Sequence, residues 1–248
     1  MNLKSSTHPL IIAHRGARLK APENTLAAFD LAKKMGAQGV ELDILVSADG
    51  HLVVTHNEDL SLLTSHSGKI SGHTLKELKQ IDFGQGEKIP TLAEVFDLLG
   101  RDFWINVEIK GENIFAEGRE QKLFRLIQDF KMQENMLVSS FNIFALRRMR
   151  QIAPQIKRGY LFYERQDPFS TRAAFDFLFQ PYSYHPSRVL ADKKLLEKLK
   201  KKNKKIWVWT VNEVDEARAL VESGVEGLIT DDPRKMLEHF KNTGNPIL

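Results

Sequence analysis

Short apolar runs of β character alternate along this chain with segments whose apolar residues recur at helical spacing. The runs are Leu10–Ala13, Gly39–Asp43, Phe103–Glu108, Met136–Ser140, Lys157–Phe162, Pro181–His185, Lys205–Thr210 and Gly227–Thr230. Eight such runs with helix-length spacers predict repeating β/α units. That repeat favours an α/β fold, the parallel TIM (β/α)8 barrel. A turn at Asp49-Gly50 predicts that Leu52–Thr55 extends the second strand.

The intervening helices have readable starts. Pro22, Asn24 and Thr25 precede Leu26, Phe29, Ala32 and Met35 at near-helical spacing. Thr74-Leu75-Lys76-Glu77 and Thr91-Leu92-Ala93-Glu94 each fit a capping box, in which Thr and Glu satisfy free backbone donors. Leu123, Ile127 and Phe130 mark another helix, and Asn212 is expected to cap one that ends at Gly224. The stretch from Asn57 to Pro90 breaks the rhythm. It is longer than an ordinary βα loop and reads as an insertion, about residues 57–90, over the barrel mouth. Without a linker or low-complexity segment, the expected organisation is one domain over residues 1–248.

Polar residues interrupt these apolar runs in a consistent place. Leu10 to Ala13 runs straight into His14-Arg15-Gly16, and Val53-Val54-Thr55 into His56-Asn57. Glu41 and Asp43 lie two apart on one strand, so both point to one face. Glu108 and Lys110 repeat that spacing on the next. Barrel enzymes carry their sites at the C-terminal strand ends. Carboxylates are costly among apolar residues unless something cationic neutralises them. Each acid could pair with a neighbouring Lys or Arg. Three converging acids are better served by one divalent cation, Mg2+ or Ca2+, held by oxygen. A lone histidine at a strand end is usually a packing residue. Two beside an acidic cluster suit acid/base chemistry. The fork of Arg15 matches a phosphate, and Gly16 would let the backbone approach a ligand closely.

Composition narrows the chemistry. The chain has no cysteine, which excludes disulfides and thiolate-bound zinc. Its net charge of +4 could favour an anionic substrate but is too small to imply nucleic acid. The basic run from Lys193 to Lys205 carries Leu195, Leu196 and Leu199 at helical spacing, so it reads as a solvated helix face. No stretch has the length and hydropathy of a membrane span. Met1 to Pro9 lacks a basic-then-apolar signal pattern, so a cytoplasmic location is expected.

Several of these segments, taken in order, resemble the glycerophosphodiester phosphodiesterase family of the bacterial cytosolic type. The motifs are His14-Arg15-Gly16, Ala21-Pro22-Glu23-Asn24-Thr25, Glu41-Leu42-Asp43 and His56-Asn57. The likeness continues through Ile89-Pro90-Thr91-Leu92, Glu108-Ile109-Lys110 and Ser140-Phe141, then Trp207 to Asn212 and Gly224 to Asp231. The resemblance implies a TIM barrel with an insertion after the second strand. It implies His14 and His56 as catalytic acid/base groups, and Glu41, Asp43 and Glu108 as ligands of one divalent cation. Arg15 and Lys110 would contact phosphate. Glu23 and Asn24 would build the site wall, Trp209 would line the glycerol pocket, and Phe141 and His185 would line the pocket elsewhere. Two positions depart from the family pattern. Asn57 stands where aspartate is common, which removes a negative charge. Ser61-Leu62-Leu63-Thr64 stands where an Arg-Thr-Thr stretch is frequent.

The expected reaction is metal-dependent hydrolysis of glycerophosphodiesters to sn-glycerol 3-phosphate and an alcohol, with His14 as first base and His56 as acid. Two other readings stay open. One is lysophospholipase D-like or cyclising cleavage of lysolipids, for which Leu60, Leu62 and Leu63 could form an apolar lip. The other is non-catalytic binding of a glycerophosphodiester. The expected partner is a small molecule, with no nucleic acid and no stable membrane anchor. The cation, the head group and the oligomeric state are left open.

Overall fold

In a computed structural model, described over residues 9–111, 118–163 and 176–242, parallel strands close into a barrel. They are β1 (Leu10–His14), β2 (Gly39–Val46), β4 (Trp104–Ile109), β5 (Met136–Ser140), β6 (Lys157–Phe162), β7 (Ser183–Pro186), β8 (Lys205–Val208) and β9 (Gly227–Thr230). The turn at Asp49-Gly50 is present, but the short β3 (Leu52–Val54) is a separate strand that folds back antiparallel on β2 and does not extend it. The strand order β1-β9-β8-β7-β6-β5-β4-β2, with β1 also paired to β2, closes the ring. The expected TIM barrel is therefore the observed fold. The stretch before Pro9, where no signal pattern is read, lies outside the described residues.

Alternation along each strand divides the core. Val40, Leu42 and Ile44 of β2 point outward and pack with Ile105, Val107 and Ile109 of β4 against the helices. The opposite arc does the same through Tyr160, Phe162, Tyr184 and Leu228. Inward-facing Ile12, Trp104, Leu137, Trp207 and Ile229 fill the barrel itself. Trp104 and Trp207 meet edge to face, with ring centroids 6.0 Å apart. Two indoles fit this floor because Gly39 and Gly227 leave room for them. A Cβ at Gly39 would meet the Trp104 carbonyl oxygen at 2.8 Å, and one at Gly227 would meet the Trp207 ring at 2.6 Å.

The capping boxes of Thr74 and Thr91 are both present. Thr25 caps the helix Leu26–Lys34. On the helix Lys193–Lys200, Leu196 and Leu199 are buried while lysines face out, as the solvated-face reading expects. Asn212 does not cap. The next helix, Val214–Glu222, begins after Glu213, and the Asn212 side chain turns instead to the end of β9. The insertion carries its own small core of Leu60, Ile70, Leu78, Ile81 and Ile89, seated on Leu45 and Val53. Leu60 therefore anchors the insertion and forms no lip, whereas Leu62 is exposed. No helix among the described residues is long and apolar enough to cross a membrane.

Gly227→Ala should lower unfolding stability by about 1–3 kcal/mol, because the methyl group must displace a packed indole. Gly72→Ala, with no atom within 4 Å of the added carbon, should stay within about 0.5 kcal/mol. Urea unfolding midpoints of the pair check this.

Candidate active site

Parallel register assembles the site. His14 pairs with Glu41 across β1 and β2, and Asp43 pairs with Glu108 across β2 and β4. Glu41, Asp43 and Glu108 are all buried, and each offers an oxygen within 4.8 Å of the other two. Bringing three carboxylates together away from water raises the cost of ionising them. Burial, then Asp43 and Glu108, push the Glu41 carboxyl well above its ordinary range. Burial pushes Glu108 up to about 7, although Lys110 opposes this. Asp43 goes the other way. Burial would raise it, but Lys110 and Arg15 more than offset that and hold it ionised.

These cations are fixed by local structure. Lys110 Nζ lies 3.0 Å from Glu108 and 3.5 Å from Asp43. Arg15 Nη1 lies 2.8 Å from Glu23, and its Nε lies 3.4 Å from Asp43. Both cations have their pKa raised by the acids despite burial. Arg15 has a left-handed backbone, φ +54°, and its N–H donates to the Glu41 carbonyl oxygen at 2.9 Å. Gly16 follows at φ +81°. A Cβ there would lie 2.7 Å from the Ala28 backbone. What Gly16 admits is therefore the following helix, not a ligand. Two cations against three acids leave the cluster short of positive charge. Together with its oxygen donors and burial, this makes it compatible with a divalent metal.

The wall residues take distinct parts. Glu23 joins Arg15 to Arg18, whose Nη2 lies 2.6 Å away. Asn24, also left-handed, donates its amide to Asp43 at 3.0 Å, and its backbone N–H donates to the Arg15 carbonyl. The Pro-Glu-Asn-Thr segment thus loops back onto Arg15 and holds one acid in place.

The two histidines have unlike supports. His14 Nδ1 lies 2.7 Å from Asp231 Oδ1, and its Nε2 lies 3.9 Å from Glu41. Asp231 is held in turn by the Asn212 amide at 2.8 Å, while its own N–H donates to Asn212 Oδ1. Burial would raise the Asp231 carboxyl, but bonding to His14 lowers it below its ordinary range. His56 Nδ1 lies 3.0 Å from Asn57 Oδ1. Burial lowers its pKa, partly offset by Asp43. Asn57 therefore touches the histidine, not the acidic cluster.

On the other side of the mouth, Phe141 packs edge to face with Trp209, ring centroids 5.6 Å apart. His185 lies elsewhere than expected. It is fully buried inside the barrel, stacked on Trp207 at 5.0 Å and bonded through Nε2 to Ser183 Oγ at 2.7 Å. Burial drives its pKa down to about 3, so the ring is neutral. It lines no open pocket because its ring fills the space that Gly159 leaves. Its carbonyl instead accepts a hydrogen bond from Trp209 Nε1 at 2.8 Å.

Asp231 and Asn212 stand behind His14, and reading the residues did not single them out for the site. One signal was available. Asp231 directly follows the last strand, as His14 ends the first, and acids at such ends read as catalytic.

The family model of the Glycerophosphoryl diester phosphodiesterase family matches residues 14–235. A glycerophosphodiester phosphodiesterase of Caldanaerobacter subterraneus subsp. tengcongensis is 38% identical over 243 residues, covering 95% of this chain and 99% of that protein. A phosphodiesterase of Oleispira antarctica, solved in complex with the product sn-glycerol-3-phosphate, is 31% identical with a TM-score of 0.85. The match covers 94% of this chain and 97% of that one. A glycerophosphodiester phosphodiesterase of Thermotoga maritima is 32% identical with a TM-score of 0.78, over 94% and 99% of the two chains. From end to end of the barrel, then, the chain belongs to the glycerophosphoryl diester phosphodiesterase family.

Proposed function

We propose that this protein hydrolyses glycerophosphodiesters to sn-glycerol 3-phosphate and an alcohol, using Glu41, Asp43 and Glu108 to hold one divalent cation. The observation that carries the reading is the buried triad of acids, undercompensated by Arg15 and Lys110 and flanked by His14. The product named for the Oleispira antarctica neighbour supports the same chemistry. A bound cation would neutralise phosphate charge and act as a Lewis acid. Arg15 and Lys110 lie at the mouth, where they can meet charge that builds on the phosphoryl oxygens. His14 is the base. Its Nδ1–H donates to Asp231, which leaves Nε2 to take the nucleophile's proton and stabilises the imidazolium that results. His56 is the acid for the leaving alcohol. The nucleophile is either water or the glycerol 2-hydroxyl.

Incubating metal-stripped protein with glycerophosphocholine, then adding Mg2+ or Ca2+, should yield glycerol 3-phosphate only after the metal is restored. No product with either ion counts against the reading. The histidine roles separate on leaving group. His56→Ala should slow glycerophosphocholine cleavage by about 10²- to 10⁴-fold but slow a p-nitrophenyl phosphodiester far less, since that anion leaves unprotonated. His14→Ala and Asp231→Asn should slow both. Equal losses on both substrates for His56→Ala would reverse the assignment.

The raised carboxyls also set a pH dependence. Between the ordinary glutamate range and about 7 for Glu108, the Glu41 and Glu108 carboxyls hold protons in the folded metal-free chain that they have released in the unfolded one. Their contribution to stability therefore falls as pH rises through that window, while His185 and His56, whose pKa values burial lowers, contribute in the opposite sense. A divalent cation needs the ionised carboxylates, so its affinity rises over the same window. The gain in thermal midpoint on adding Mg2+ or Ca2+ should be larger at pH 8 than at pH 5. A gain that is equal at both values, or larger at pH 5, would contradict the cluster as the metal site.

A further inference from the structure

We infer that Arg18 is a positioning residue for the reaction, because it ties the carboxylate that backs His14 to the carboxylate that backs Arg15. The inference rests on the phosphodiesterase reading and adds a residue to it. Arg18 lies between the His14-Arg15-Gly16 and Ala21 to Thr25 motifs and belongs to neither, so the resemblance gives it no role. Its Nη2 lies 2.6 Å from Glu23 Oε2, and its Nη1 lies 3.6 Å from Asp231 Oδ1. The other oxygen of Glu23, Oε1, is the one that Arg15 Nη1 meets at 2.8 Å. Asp231 Oδ1 is also the oxygen that His14 Nδ1 meets at 2.7 Å. Basic and acidic groups therefore alternate from Arg15 through Glu23, Arg18 and Asp231 to His14. One guanidinium can join the two arms because its donors form a planar fork that serves two carboxylates at once.

This brace crosses the closure of the barrel. Arg18 follows the first strand and Asp231 the last, and β1 pairs with β9. The turn that presents Arg18 is itself fixed. The Arg18 N–H donates to the Gly16 carbonyl at 2.9 Å, and the Lys20 and Ala21 N–H groups donate to the Ala17 carbonyl. The Glu23 and Asp231 side chains are only 14% and 16% exposed, so water screens their charges poorly. Arg18 supplies the cation between them. Asn212 already holds the far oxygen of Asp231, so what Arg18 fixes is Oδ1, the oxygen that faces His14. At Glu23 it holds Oε2 and leaves Oε1 to orient Arg15. Without Arg18, both the base and the phosphate contact lose an aligned partner. The base sets kcat, and the phosphate contact also sets KM.

The test measures kcat and KM for glycerophosphocholine in the metal-loaded enzyme with Arg18→Met and Arg18→Lys, each alone and combined with Asp231→Asn or Glu23→Gln. Arg18→Met should lower kcat/KM about tenfold, the size of one charge-assisted hydrogen bond. A lysine reaches one acid and not both, so Arg18→Lys should recover only part of the loss. Residues that act through one another are not additive, so the fall in kcat should shrink to less than about twofold once Asp231 is Asn, and the rise in KM likewise once Glu23 is Gln. A general loss of structure would not divide in that way. Full additivity in both backgrounds overturns the inference, as does an Arg18→Met enzyme with wild-type kcat and KM. Hydrogen exchange of the same proteins is independent of turnover. Arg18→Met should speed exchange both in the segment around Arg15 and in the segment around Asp231. If the wild type cleaves no diester, the phosphodiesterase reading fails. Faster exchange in both segments would still support the brace, and faster exchange confined to the Arg15 segment would sink it.

Discussion

Three carboxylates brought within 4.8 Å of one another inside a protein are the constraint to which the rest of this site answers. Charges buried together gain nothing from water, and their mutual repulsion is screened weakly. Protonation relieves part of it, as the raised Glu41 and Glu108 show. Cations relieve more. Lys110 rises from the strand that carries Glu108. Arg15 reaches Asp43 from a left-handed turn that few residue types adopt readily. Even Asn24 spends its amide on Asp43. A third source of positive charge, supplied from outside the chain, would complete the set.

The barrel makes this arrangement tolerable by dividing labour. Below the acids, Trp104 and Trp207 fill the interior, and Gly39 and Gly227 give them room. Above, the mouth has two unlike arcs. β1, β2 and β4 bring acids, cations and His14, while β5, β6 and β8 lead into aromatic rings. A phosphodiester has the same asymmetry, with an anionic centre and a substituent that need not be polar. His14 is backed by a carboxylate and His56 by a neutral amide oxygen, so the two imidazoles are inequivalent before substrate arrives. The placement of Asn57 against His56 explains why losing a negative charge there leaves the acidic cluster itself intact.

Much of this was legible in the sequence because strands buried on both faces read as continuous apolar runs. Polar residues breaking such runs near their ends are conspicuous. Glu41, Asp43, Glu108 and His14 stood out for that reason, and register then brought them together. Strand ends shifted by a residue or two, as in β7, which begins at Ser183 and not Pro181. What escaped depends on closure of the ring. Asp231 meets His14 across 217 residues, through pairing of the last strand with the first. Asn212 has the right residue type for a helix cap, yet tertiary contact with Asp231 claims its side chain. His185 looks like a site histidine, and only the missing Cβ of Gly159 opens the interior space that its ring occupies. Gly16 likewise faces a helix that local reading does not bring near.

The central claim is that the Glu41, Asp43 and Glu108 oxygens surround a divalent cation. Anomalous diffraction from crystals soaked in Mn2+, a stand-in for Mg2+ or Ca2+, tests it most directly. A single strong peak within bonding distance of all three carboxylates is the expected result. A peak elsewhere, or a cluster left without one while Mn2+ binds at the surface, would contradict the account.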